Sequence, residues 1–279
     1  IQDDVIARLQ GRWDGSIKVT PTHHAELNKR LGGGWEAGCL YTLCGAVHMG
    51  KTEIALNFGL EAAEDGYHVL IFSSELPDTM IAERIDQMKM TLPANHFKLP
   101  RTVFQDEASF LAFVQNLQAL KFSLMIDDTA TLTPAYVRAA LKRVHATWRV
   151  DLCIIDRGNR MGTDDKSYQS KAADVVDISN AIKDMARLVG CPVIETIQIN
   201  KSVGQRSNKN KRPTLNDMAY DAGGAPDTII GLYRDEYYDS ASPNKGIVEF
   251  IFLKNRLMGI MDTVCLMRHP FSGKLLDLP

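Results

Sequence analysis

Gly45-Ala-Val-His-Met-Gly50-Lys51-Thr52 decides how the rest of this 279-residue chain is read. It fits the pattern Gly-x4-Gly-Lys-Ser/Thr in full, follows the apolar run 40–44 and opens the helical stretch 51–64. Glycines let the backbone wrap a phosphate chain with its N–H groups pointing inward. The start of the following helix adds a partial positive charge. Lys51 is placed to reach the β- and γ-phosphates, and the Thr52 hydroxyl to hold Mg²⁺. Gly45, His48, Met49, Gly50, Lys51, Thr52 and the adjoining Glu53 are the candidates for binding a nucleotide, and Lys51 is also a catalytic candidate.

Outward from this loop, apolar runs and amphipathic stretches alternate. Strands are predicted at 68–73, 124–126, 152–155 and 192–199, and helices at 77–90, 133–148 and 169–189. Gly190 stops the last helix, and Pro134 sits in a tolerated first-turn position. Such alternation argues a mostly parallel sheet with helices on both faces. Three late strands, 228–232, 247–253 and 262–267, are separated by little chain and suggest an antiparallel extension. Leu31-Gly32-Gly33-Gly34 reads as a flexible loop.

A phosphate loop needs partners at neighbouring strand ends. Leu152-Cys-Ile-Ile-Asp156 is an apolar strand ending in a carboxylate, which suits a residue that holds the metal's water shell. Asp127 and Asp128 are rivals, and Asp156 is preferred because it ends the longer buried strand. Glu75 directly follows the strand 68–73, at the carboxyl end where such sheets bind ligands, and could polarise an attacking water. Gln198 ends the strand 192–199, where an amide can sense the γ-phosphate.

Composition narrows the class. Apolar residues make up 45% and charged residues 24%, which excludes a disordered or collagen-like chain. No apolar run reaches the length of a membrane helix, so no membrane is expected. The net charge of −2 excludes a protein coated in positive charge, yet 200–213 carries five basic residues and no acidic one. Cys39, Cys44, Cys153, Cys191 and Cys265 are odd in number and lack CxxC spacing, which reads as a reducing cytosol without disulfides or structural zinc. The histidines, His23, His24 and His48 among them, show no metal spacing. Ile1, Val5, Ile6, Leu9 and Trp13 mark a short amphipathic helix, lying either on its own domain or on another subunit. The chain opens without Met, so an upstream part is expected to be missing.

Read together, several blocks resemble one family. They are the loop ending His-Met-Gly-Lys-Thr52, Phe72-Ser-Ser-Glu75-Leu, Ile126-Asp-Asp-Thr-Ala-Thr-Leu-Thr-Pro134, Gln198-Ile-Asn-Lys-Ser-Val203 with Gln205-Arg206, Lys211-Arg-Pro213 and Leu232-Tyr-Arg-Asp-Glu-Tyr-Tyr238. In order and spacing, over roughly residues 15–275, they look like the C-terminal motor domain of the DnaB family of bacterial and phage replicative DNA helicases. The resemblance implies a RecA-like α/β fold and a homo-hexameric ring around single-stranded DNA. It also implies ATP with Mg²⁺ between subunits, and hydrolysis that drives 5′→3′ translocation. It implies that Lys254 and Arg256, in Lys254-Asn-Arg256, act on the nucleotide of the next subunit. It further implies a cytoplasmic location in a bacterium or phage-infected host, and a primase and a loader met through an N-terminal domain that this chain lacks. Residues 1–17 would then be a linker or docking helix and 18–279 the ATPase domain.

The chain departs from the family in places. Ala46 and Val47, before His48, replace the usual Arg-Pro, and Arg157-Gly-Asn159 replaces Tyr-Leu-Gln. The sensor pair Ser-Gln is Ile197-Gln198. The DNA-facing Arg-Glu-Ser-Gly segment reads Ala219-Tyr-Asp-Ala222-Gly-Gly224 and has lost its arginine. DNA could still be tracked along its backbone by Lys201, Arg206, Lys209, Lys211 and Arg212. The alternative is a helicase-like ATPase that acts as a loader, regulator or recombination factor without unwinding.

Overall fold

A computed structural model describes residues 2–156, 161–162, 171–200, 203, 206, 211–218 and 224–279, without the side chains of 8 and 171–175. In chain order it has α1 (Gln2–Trp13), β1 (Val19–Thr20), α2 (Ala25–Leu31), β2 (Trp35–Glu36), β3 (Leu40–Gly45) and α3 (Lys51–Glu64). Next come β4 (Val69–Ser73), α4 (Asp78–Met90), α5 (Asn95–Lys98), α6 (Pro100–Val103), α7 (Glu107–Ala119), β5 (Leu124–Asp127) and α8 (Pro134–Thr147). The chain continues through β6 (Leu152–Asp156), α9 (Lys171–Val189), β7 (Val193–Gln198), β8 (Thr228–Tyr233) and α10 (Asp235–Tyr238). It closes with β9 (Ile247–Asn255), β10 (Thr263–Arg268) and β11 (Leu275–Asp277).

Nine strands form one sheet in the order β11-β10-β9-β8-β3-β7-β6-β4-β5. The strands from β8 to β5 run parallel, and β9, β10 and β11 extend the sheet antiparallel. The antiparallel extension therefore starts at β9, one strand later than the spacing suggested, because β8 pairs parallel with β3.

The central strands are buried on both faces, and their side chains sort with a period of two. Tyr41, Leu43, Val69, Ile71, Leu152 and Ile154 join the core under α3 and α4. Leu70, Phe72, Cys153 and Ile155 join the core under α8 and α9. Phe58 of α3 anchors the first core, with Trp35 and Phe250 at ring distances of 5.1 and 6.1 Å. Burying one such side chain stabilises by roughly 1.5–3 kcal/mol. The cysteines are free thiols, and burial pushes those of Cys44, Cys153 and Cys191 up.

Leu31-Gly32-Gly33-Gly34 forms a tight turn. Gly32 ends α2 at φ 76°, and a Cβ on Gly34 would lie 2.3 Å from the Thr20 carbonyl oxygen. The glycines thus serve close packing of β1 against β2, with little freedom left in the loop.

His24 ties its own segment to two distant parts of the chain. It is buried, with Nδ1 2.8 Å from Asp277 Oδ1 on β11 and Nε2 3.0 Å from Glu61 Oε1 on α3. Burial opposes the charged imidazole, but the two carboxylates outweigh it and raise the pKa. A raised folded-state value means this stabilisation is complete below the unfolded value of about 6.5 and is lost as pH rises through the folded one. His24→Ala is expected to lose about 2 kcal/mol at pH 6 and clearly less at pH 8.5. Urea denaturation of both chains at the two pH values checks this, and an equal loss at both would remove the charge from the account.

Candidate functional site

Strand register brings the candidate residues to one edge of the sheet. Gly45 of β3 is level with Gln198 of β7, Thr196 with Asp156 of β6, and Asp156 with Ser73 of β4. Glu75 follows β4 two residues later, and the phosphate loop continues β3 into α3. Lys51, Thr52, Glu53, His48, Gly50, Glu75, Asp156 and Gln198 all line one cavity of about 630 Å³. Met49 is buried beneath the loop, and Gly45 ends the strand that enters it.

The loop is shaped for this place. His48 at φ 60° and Gly50 at φ 91° turn the chain sharply into the helix start. A Cβ on Gly45 would meet the Leu232 carbonyl oxygen at 3.2 Å, so glycine lets the loop lie against β8. Lys51 Nζ donates to the carbonyls of Gly45 (3.1 Å) and Ala46 (2.8 Å), which holds the ammonium over the loop. Burial lowers its pKa, and the nearby Asp156 and Glu75 carboxylates work against that shift.

Thr52 Oγ1 donates to Asp156 Oδ2 at 2.8 Å, and Thr196 Oγ1 donates to Oδ1 at 2.6 Å. Asp156 is buried and points at the helix start. The rivals are occupied elsewhere: Asp127 accepts from Tyr136 Oη and the Thr129 amide, and Asp128 from the Asp78 amide. A carboxylate beside a threonine hydroxyl suits Mg²⁺, which prefers oxygen ligands, keeps several waters and takes the rest from phosphates. Among the described residues no cluster of three or more His, Cys, Asp or Glu could hold a metal by itself. Glu75 is exposed at the cavity mouth, free to meet a water.

The sequence reading missed the opposite wall. Arg268 donates to both carboxylate oxygens of Glu53 (Nη2 to Oε2, 2.8 Å), and Arg234 Nε donates to Glu236 at 2.9 Å. Phe271 lies exposed at the same rim. No sequence pattern marks Arg268 and Phe271, because the end of β10 and the turn after it reach the loop only through the sheet.

Lys254 and Arg256 lie at the other end of the molecule. Asn255 pairs with Thr228, and Thr228 with Tyr41, so the Lys-Asn-Arg triplet is level with the start of β3. The phosphate loop leaves from the far end of β3, roughly 13 Å along the strand and about 10 Å across two strands. Lys254 Nζ donates to the Gly224 carbonyl at 3.0 Å, and Arg256 lines a separate cleft of about 1090 Å³.

Of the basic run, Lys201 and Lys209 lie outside the described residues, as do 157–159 and 219–223. Arg206 pairs with Asp217, and Arg212 Nε donates to Glu249 at 2.6 Å while stacking 4.5 Å over the Tyr233 ring. Lys211 Nζ sits 4.8 Å from the Tyr238 ring centre. These three cations are thus engaged within the fold, against α10 and its neighbours.

The apolar face of α1 is exposed: Val5, Ile6 and Leu9 face solvent, and Trp13 is 94% exposed. No helix among the described residues is long and apolar enough to cross a membrane.

Against known proteins, the family described as DnaB-like helicase C terminal domain matches residues 20–273. The replicative DNA helicase DnaB of Geobacillus stearothermophilus is 29% identical over 257 residues, covering 91% of this chain and 55% of that protein. The replicative DNA helicase DnaB of Buchnera aphidicola subsp. Acyrthosiphon pisum is 30% identical over 282 residues, covering 98% of this chain and 59% of that protein. The chain therefore spans a little over half the length of these relatives. Among solved structures, one described as an ATPase domain has a TM-score of 0.88 at 24% identity, with 99% of this chain and 98% of that chain covered. A DnaB-like replicative helicase, solved with a view to its interactions with primase, has a TM-score of 0.87 at 25% identity. That match covers all of this chain and 67% of the other.

Proposed function

This chain belongs to the DnaB-like helicase C-terminal domain family, and from that premise we propose that it is the ATP-hydrolysing motor of a replicative DNA helicase. It works as a homo-hexamer that moves 5′→3′ along single-stranded DNA. The observation that carries the reading is the split geometry. Lys51, Thr52, Glu75, Asp156 and Gln198 share one cavity, while Lys254 and Arg256 stand at the opposite end of the same sheet. A site completed by a neighbour accounts for both.

In this reading the loop amides and Lys51 hold the β- and γ-phosphates of ATP. Thr52 and Asp156 would hold Mg²⁺, which would offset negative charge on the phosphates. Glu75 accepts a proton from the attacking water. Gln198 senses whether the γ-phosphate is present. Lys254 and Arg256 of the next subunit stabilise charge on the transferring group. Residues 1–17 form the docking helix, whose exposed apolar stripe supports a seat on another subunit. Primase and a loader are partners of the whole protein, and the setting is the cytoplasm.

DNA contact is assigned to the loop carrying Lys201, Arg206, Lys209, Lys211 and Arg212. The carboxylate partners of Arg206 and Arg212 favour a second reading, a loader or regulator that hydrolyses ATP without unwinding. ATP turnover with and without single-stranded DNA, on a sample whose mass is measured by light scattering, separates the two. DNA-stimulated turnover from a hexamer is expected, with stimulation that fades steeply as salt rises. Turnover from the full-length protein that ignores DNA would move the function to the second reading.

A further inference from the structure

Glu75 sits in a turn that backbone groups do not close. Residues 74–77 lead from β4 to α4, and among the described residues no backbone hydrogen bond joins β4 to Leu76 or Pro77 across the turn. The Ser73 side chain closes it instead. Its Oγ donates to the Leu76 carbonyl at 3.0 Å and accepts from the Leu76 amide at 3.1 Å. A hydroxyl donates once and accepts up to twice, so one serine fills both roles. Short hydroxyl side chains hold turns in this way by bonding to nearby backbone.

Ser73 stands where such a clamp bears on the chemistry. It is fully buried at the end of β4, level with Asp156 on β6. Ile71 and Ile154, two residues earlier on the same strands, both join the core under α3 and α4. Ser73 and Asp156 therefore face the side of the sheet that carries the phosphate-loop helix. Leu76 packs against that core, while Glu75 before it is exposed and lines the cavity.

The far end of the turn is fixed as well. Pro77 restricts Leu76 to extended backbone. The Asp78 amide then donates to Asp128 Oδ2 at 3.2 Å, on the loop after β5. With the Ser73 hydroxyl setting the near end, Glu75 is carried at a fixed place relative to the bonded pair Thr52 and Asp156.

We propose that Ser73 is a positioning residue for ATP hydrolysis, its hydroxyl holding the turn that aims Glu75 at the attacking water. This rests on reading Glu75 as the base. Misplacing a reacting group by about 1 Å can cost roughly a hundredfold in rate. The clamp therefore matters to turnover and leaves nucleotide binding alone.

The test is ATP hydrolysis by the assembled protein, with equilibrium binding of ADP measured on each variant. Ser73→Ala is expected to lower kcat about tenfold to a hundredfold, with KM and ADP affinity within about twofold of the unmodified chain. Ser73→Cys, close in shape but a weak hydrogen-bonding group, should fall with it, and Ser73→Thr should recover most of the rate. Combined with Glu75→Gln, Ser73→Ala should cost less than about twofold more, because a residue that acts through Glu75 then has no base to position. Single-turnover measurements read these slow rates. Retained ADP affinity in Ser73→Ala shows that the fold is intact; if that variant does not fold, Ser73→Cys against Ser73→Thr carries the comparison. An unchanged kcat, a loss confined to KM, or an equal loss with and without the Glu75 carboxylate overturns the role of Ser73 and leaves Glu75 standing. A Glu75→Gln chain that turns over like the unmodified one overturns both.

Discussion

Glu75→Gln is expected to lower ATP turnover by roughly 10²–10⁴-fold while nucleotide binding is kept, the scale of a positioned general base. The amide keeps the size and hydrogen-bonding reach of the side chain but cannot take a proton from water. Glu75 is exposed at the cavity mouth, so the exchange leaves the core untouched. Steady-state turnover and equilibrium binding of a labelled ADP, measured on one preparation, check both halves. Undiminished turnover would remove Glu75 from the chemistry.

Arg256→Ala is expected to lower turnover about 10³–10⁵-fold, the range seen when an arginine supplied to a phosphoryl-transfer site is lost. The informative experiment is a mixture. In one protomer Arg256 and Lys51 stand at opposite ends of β3, so the two defects fall in different halves of a shared site. Lys51→Ala and Arg256→Ala chains are each expected to be inactive alone. Mixed one to one at random, about a quarter of the contacts between subunits would join an intact Lys51 to an intact Arg256. Turnover should then return to a measurable fraction of the unmodified rate. A mixture as dead as its components would mean that Arg256 is not supplied across subunits.

The parts of the site legible in the sequence were those written locally. The phosphate loop is contiguous, and its strand and helix follow from the apolar run before Gly45 and the helix-forming run after Lys51. Asp156 and Gln198 stood out because each ends an apolar strand, and the sheet register then sets them beside the loop. Arg268 and Phe271 were not legible. An arginine at a strand end, or a phenylalanine in a turn, looks the same whether or not a cavity lies next to it. The basic run 200–213 read as a set of cations available to track DNA. Arg212 instead meets Glu249, and that partner comes from a strand whose register local sequence does not reveal. The small helices between residues 95 and 119 were also missed. Phe97 and Phe104 each pack on Phe113, at ring distances of 5.5 and 5.0 Å, contacts that no single periodic stretch of sequence announces.

The interleaving of β3, β7, β6 and β4 also governs when the site comes into being. Thr52 and Asp156 are 104 residues apart in sequence, and Thr42 and Glu195, which join β3 to β7, are 153 apart. Contacts of that range close late and slow the search for the native state. The phosphate loop can curl as soon as its own helix forms, but Asp156 reaches Thr52 only after β7 and β6 have inserted between β3 and β4. A ligand that needs both Thr52 and Asp156 therefore binds only chains whose central sheet is complete. Its binding energy is then added to the stability of the whole sheet, over and above that of the loop it touches.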